Sequence, residues 1–84
     1  MRYPPHIWKQ IKGITADELI RALERDGWSW DEGQGAVRVY RHPDGRRVAV
    51  HNHPRKTYGR KLLKHLLADI GWTVEDLKRL KLVK

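Results

Sequence analysis

The stretch from Gly35 to Pro54, GAVRVYRHPDGRRVAVHNHP, decides how this chain folds. Two runs in which β-branched and basic residues alternate, Ala36–Arg41 and Arg46–Asn52, flank His42-Pro43-Asp44-Gly45. Proline at the second position and glycine at the last mark a type I turn, so the stretch reads as a β-hairpin. Side chains alternate faces along a strand, so His51 and His53 are expected on one side, roughly 6–7 Å apart. Two titratable groups on one sheet face, among arginines, form the constellation best suited to chemistry in this sequence.

Two rules disagree about the hairpin register. A type I turn with a bulged Gly45 sets His42 opposite Arg46, Tyr40 opposite Val48 and Arg38 opposite Val50. The apolar pattern alone would group Val37, Val39, Val48 and Val50. Turn chemistry is the better guide, and it sends Tyr40, Val48 and Val50 toward the helices. Either way Arg47, Ala49, His51 and His53 share a face.

Upstream of the hairpin, Thr15-Ala16-Asp17-Glu18 is a capping box that opens a helix. Ala16, Leu19, Ile20 and Leu23 form its apolar stripe, and Gly27 ends it. Trp28-Ser29-Trp30 alternates as a short strand, and Asp31 to Gly35 reads as a polar, flexible connection. Residues 1–14 show no clean period; their two prolines argue against helix at the start, while Ile7, Trp8 and Ile11 could share one helical face afterwards, and the segment reads as an N-terminal arm, with residues 15–84 as the domain proper.

Downstream, Arg55-Lys56-Thr57-Tyr58-Gly59 is a basic loop, and a second helix starts near Arg60. Leu62, Leu63, Leu66, Leu67 and Ile70 fall on one arc of it, opposite Lys61 and Lys64, and Gly71 stops it. Thr73-Val74-Glu75-Asp76 opens a final short helix carrying Leu77 and Leu80. The order predicts an α+β domain, α-β-β-β-α, with a three-stranded antiparallel sheet, helices on one face and a short C-terminal helix.

Eighty-four residues allow one small domain. The absence of cysteine excludes disulfides and thiolate metal sites, and points to an intracellular, cytoplasmic protein. No apolar run approaches the ~20 residues that a membrane span needs. Eighteen Lys and Arg against ten Asp and Glu give a net charge of +8, which favours polyanionic partners. The charge is also segregated: acids concentrate before the hairpin, whereas Arg38 to Lys64 is rich in bases and holds Asp44 as its only acid.

From Thr15 to Leu77 the sequence resembles HicA-type toxins, small mRNA interferases of type II toxin–antitoxin pairs. The likeness rests on a first helix ending in Gly27-Trp28, Gly35 followed by Tyr40, Pro43-Asp44-Gly45-Arg46 with Val48 and Val50, His53, and a leucine-rich helix ending in Ile70-Gly71 before Thr73. The resemblance implies a fold like the double-stranded RNA-binding domain, RNA cleavage that does not require the ribosome, and neutralisation by a HicB-type antitoxin. One departure stands out. The family pattern has Gly-Ser followed by the histidine regarded as catalytic, whereas here Gly35 is followed by Ala36 and Val37.

Two functions are therefore expected from the sequence. In the first, the chain binds and cleaves mRNA by metal-independent acid–base chemistry, with proton transfer moved to His53, where the family pattern also has histidine, or to His51. Arg41 and Arg47 would stabilise the phosphorane charge. In the second, the same fold binds RNA or its antitoxin without cleavage. The expected phosphate contacts are Arg38, Arg41, Arg47, Lys56, Arg60, Lys61 and Lys64, with Tyr40 or Tyr58 available for base stacking. Neither reading needs a cofactor. His51-Asn52-His53 has the spacing of paired zinc ligands, but a site needs a third, and no metal is expected.

Overall fold

The computed structural model describes residues 3–33, 35–51 and 56–84, and the hairpin takes the register that its turn residues dictate. The Gly45 N–H donates to the His42 carbonyl at 2.9 Å and the His42 N–H to the Arg46 carbonyl at 2.9 Å. Gly45 has φ of 100°, a conformation that a Cβ would disfavour. Strands β2 (Val37–Arg41) and β3 (Arg47–His51) pair with Tyr40 opposite Val48 and Arg38 opposite Val50. Tyr40, Val48 and Val50 are buried toward the helices, whereas Arg47, Ala49 and His51 are exposed on the other face.

Strand β1 (Ser29–Glu32) completes an antiparallel sheet of order β1-β2-β3. It includes Asp31 and Glu32, which the sequence had placed in the connection, and a bulge between Trp30 and Glu32 shifts its register against β2, so that Trp30 faces Tyr40 and Glu32 faces Val39. The reversal into β2 is tight. A Cβ on Gly33 would lie 2.5 Å from the Val37 carbonyl oxygen, so only glycine lets the chain pass there.

Four helices stand among the described residues, and each adds side chains to the core shared with the inner face of the sheet: α1 (Pro5–Ile11), α2 (Ala16–Arg25), α3 (Arg60–Ile70) and α4 (Val74–Arg79). Both capping boxes form, Thr15 with Glu18 and Thr73 with Asp76. Residues 5–11 of the segment read as an arm fold as a helix with proline in its first turn, and Ile7 and Ile11 join the common core with Leu19, Leu23, Leu63 and Leu67. Leu62 departs from the expected arc and is 37% exposed. Among the described residues no helix is long and apolar enough to cross a membrane.

One carboxylate ties the helical layer together. Asp26 Oδ2 accepts from the indole Nε1 of Trp28 at 3.0 Å and of Trp72 at 2.8 Å, while Arg79 donates to Oδ1 at 2.5 Å. Burial pushes the Asp26 carboxyl up, but the donors from Trp72, Arg79 and Trp28 outweigh it and hold it below the usual carboxylate range.

The core carries one polar defect: the buried Tyr40 hydroxyl has no hydrogen-bond partner among the described residues. An unpaired buried hydroxyl costs roughly 1–3 kcal/mol. Tyr40→Phe is therefore expected to match or exceed the parent in stability, by up to about 1–2 kcal/mol in urea unfolding. A loss above 1 kcal/mol would show that the hydroxyl is paired.

Candidate nucleic-acid interface

The open face of the sheet places Arg41 opposite Arg47, Val39 opposite Ala49 and Val37 opposite His51. Both arginines are engaged by β1. Arg41 Nε contacts Asp31 Oδ2 at 2.6 Å, and Arg47 Nη2 contacts Glu32 Oε1 at 2.7 Å. The Asp31 hydrogen bond and charge raise the Arg41 pKa further, so the guanidinium stays charged and held. The hairpin-turn end of this face is thus two cations matched by two carboxylates, rather than a bare cationic surface. Sequence reasoning missed these pairs because Asp31 and Glu32 read as part of a polar connection and not as strand residues able to pair across the sheet.

Arg38 has the parity of Tyr40 and leaves the sheet on the helix side, where its guanidinium lies 4.2 Å from the centre of the Trp30 ring. It does not join Arg41 and Arg47. Tyr40 and Tyr58, the two candidates for base stacking, are both buried. Burial pushes the Tyr58 hydroxyl up to about 12, so it remains a donor, and it holds the His51 carbonyl at 3.1 Å. That bond fixes the end of β3 against the loop that follows.

At this end the chemistry converges. His51, Lys56, Thr57 and Gly59 line one shallow cleft with Ala16, Tyr58 and Leu62. A bridge between Thr15 and Thr57, with the Ala16 N–H donating to the Lys56 carbonyl at 3.0 Å, clamps the loop to the start of α2. Gly59 is the N-cap of α3 and supplies no side-chain acceptor, and the first turn holds no acid. The first-turn amides of α3 therefore have no side-chain cap, and Lys56, Arg60 and Lys61 stand exposed at this helix start. Lys56, Arg60, Lys61 and Lys64 are exposed and form no salt bridge among the described residues; Lys64 Nζ lies 5.4 Å from the Trp8 ring centre.

Of the two candidate histidines, His51 stands exposed in this cleft, while His53 lies outside the described residues. Val37 is 41% exposed and sits directly across the ladder from His51. Facing residues on adjacent antiparallel strands have Cβ atoms about 4.5–5.5 Å apart. Gly59 and Thr57 were not anticipated as parts of the site; the missing acid at the start of α3 was the available clue.

A three-stranded antiparallel sheet with α2 and α3 packed behind it, open on its other side and bordered by an uncapped, basic helix start, defines a small α+β domain of the α-β-β-β-α class. A family model described as HicA toxin of bacterial toxin–antitoxin matches residues 16–72. The chain belongs to this HicA toxin family, whose members work within toxin–antitoxin systems. A comparison with curated proteins finds no match.

Proposed function

We propose that the chain is the toxin component of a toxin–antitoxin pair, that it binds mRNA in the cytoplasm at the cleft between β3 and α3, and that it cleaves the bound strand by acid–base chemistry. The observation that carries this reading is the cleft itself, lined by His51, Lys56 and Gly59, the N-cap of α3, with no side-chain cap on that helix start. Helix N-termini and basic side chains are the ordinary ligands of phosphate. Lys56 and Arg60 hold the scissile region, and Lys61 and Lys64 follow the strand along α3. Arg41 and Arg47 reach phosphate by exchanging Asp31 and Glu32 for it.

In the cleavage step the 2′-oxygen attacks the adjacent phosphorus and the bond to the 5′-oxygen breaks. A base takes the 2′-hydroxyl proton and an acid protonates the leaving oxygen, giving a 2′,3′-cyclic phosphate and a 5′-hydroxyl. His51 and His53 supply these two proton positions, and cationic neighbours stabilise the phosphorane. An antitoxin that covers the same cleft blocks both binding and turnover.

A second reading, binding without cleavage, is favoured by Val37, which cannot exchange a proton where the family pattern has histidine. End-labelled single-stranded RNA in EDTA separates the two. Turnover supports the nuclease, binding without turnover supports the second reading, and no binding contradicts both. Lys56→Gln with Arg60→Gln is expected to flatten the log–log salt dependence of binding by about 1.4, which is two phosphate contacts on a single strand.

A further inference from the structure

The charge excess does not reside where the family match does. Residues 16–72 hold eleven Lys and Arg against eight Asp and Glu, a net of +3. Residues 1–15 add three bases and no acid, and residues 73–84 add four bases and two acids, so the flanking segments supply the other +5 of the +8. The fold then brings these segments together. Lys84 N–H donates to Gln10 Oε1 at 2.7 Å, and Tyr3 donates to the Trp72 carbonyl at 2.7 Å.

Their meeting forms a run of confluent clefts that share Lys81 and Leu82, one bounded by α1 and the loop after it, one by the exposed side of α2, and one by the end of α4. Lys9, Lys12, Lys78, Lys81 and Lys84 border this surface. All five are exposed, and none forms a salt bridge among the described residues. None of these five residues lines the His51 cleft.

Lys81 adds an independent observation. It follows the C-cap of α4 with φ of 60°, and the Leu82 N–H closes the helix on the Leu77 carbonyl at 2.9 Å. That left-handed position is the one at which glycine is usual, because a Cβ is strained there. A lysine held at this position, at the junction of all three clefts, marks strain retained at a surface of use.

We infer that the face built by the two flanking segments is a second binding surface for a phosphodiester backbone, separate from the His51 cleft. It rests on the reading of the chain as an RNA-binding protein. Its occupant is the sugar–phosphate chain of the same RNA beyond the cleavage site, recognised by charge and not by base. Five lysines without carboxylate partners suit phosphate oxygens, and each contact releases counterions from the RNA.

The test uses the full chain with all four of Lys9, Lys12, Lys81 and Lys84 changed to glutamine, and a fluorescent 20-nucleotide oligouridine whose anisotropy is followed from 50 to 300 mM KCl. Exposed Lys→Gln changes leave the fold intact, which the melting curve checks. The expected result is a salt slope flatter by about 2–3 and an affinity at least 10-fold lower at 100 mM KCl. A slope within about 0.5 of the wild-type value overturns the inference, and if Lys56→Gln with Arg60→Gln still flattens it, the His51-cleft reading survives. No RNA binding by the wild-type chain overturns both. Loss confined to antitoxin or anionic-vesicle binding also overturns the inference, assigning the surface to a protein or a membrane. Lys81→Gly gives the complementary signature, a melting temperature raised by about 2–6 °C together with weaker RNA binding. A melting temperature that is unchanged or lower would remove the strain argument.

Discussion

Asp26→Ala is expected to lower stability by about 3–5 kcal/mol, enough to leave much of a domain this small unfolded. The reason is the number of partners stranded at once. Trp72 is fully buried and Trp28 nearly so, and each indole N–H loses its acceptor when the carboxylate goes. An orphaned buried donor costs roughly 1–3 kcal/mol, and the Arg79 pair is lost as well. Asp26→Asn keeps an acceptor oxygen of the same shape and is expected to cost about 1–2 kcal/mol. Urea unfolding followed by tryptophan fluorescence measures both, and an alanine variant within 1 kcal/mol of the parent would show that the hub is ornamental.

The same carboxylate sets an acid limit. Asp26, Asp44 and Asp76 are each held below the ordinary carboxylate value, so the unfolded chain takes up their protons first as pH falls. Their stabilising effect is complete above about pH 5, begins to fade as the unfolded carboxylates protonate, and is lost as the pH drops through their lowered folded-state values. Melting temperature is thus expected to fall between pH 5 and pH 3, and to fall less steeply in Asp26→Asn. An identical pH dependence in the two proteins would exclude Asp26 as a contributor.

His51→Ala carries the largest expected effect on activity, a fall in single-turnover RNA cleavage of about 10²–10⁴-fold, with RNA affinity changed less than about threefold. The separation follows from the cleft. In the proposed mechanism Lys56, Arg60 and the amide end of α3 would hold phosphate, while the imidazole would move a proton. Loss of affinity in parallel with rate would instead make His51 a simple RNA contact. His53→Ala is expected to act in the same direction, since the proposed mechanism divides the proton transfers between the two.

Features written in a few neighbouring residues were legible in the sequence. Thr15 with Glu18 and Thr73 with Asp76 are local capping boxes, and both form. Pro43-Asp44-Gly45 fixed the hairpin register against the competing valine pattern, because a turn sets pairing before packing can choose. Features that depend on distant partners were not legible. Asp26 meets Trp72 and Arg79 from 46 and 53 residues away, and nothing around it in the chain announces a hub. The helical face of Ile7, Trp8 and Ile11 was visible, but not where it starts or that it joins the core: Pro4 and Pro5 read as helix breakers, yet proline in a first turn costs no hydrogen bond, so α1 begins at Pro5 and buries Ile7 and Ile11. At the site, His51, Lys56 and Arg60 were legible as candidates. The neutralisation of Arg41 and Arg47 was hidden because Asp31 and Glu32 looked like loop residues until the bulge in β1 carried them onto the sheet.

The most direct test moves the imidazole across the ladder. Val37 faces His51 on the same side of the sheet, so a histidine there would point into the same space. Single-turnover cleavage of labelled RNA in EDTA is compared for wild type, His51→Ala, and His51→Ala combined with Val37→His. Cleavage lost in the first variant and restored at least tenfold in the second is the predicted result; a His51→Ala protein that cleaves at the wild-type rate would contradict the account.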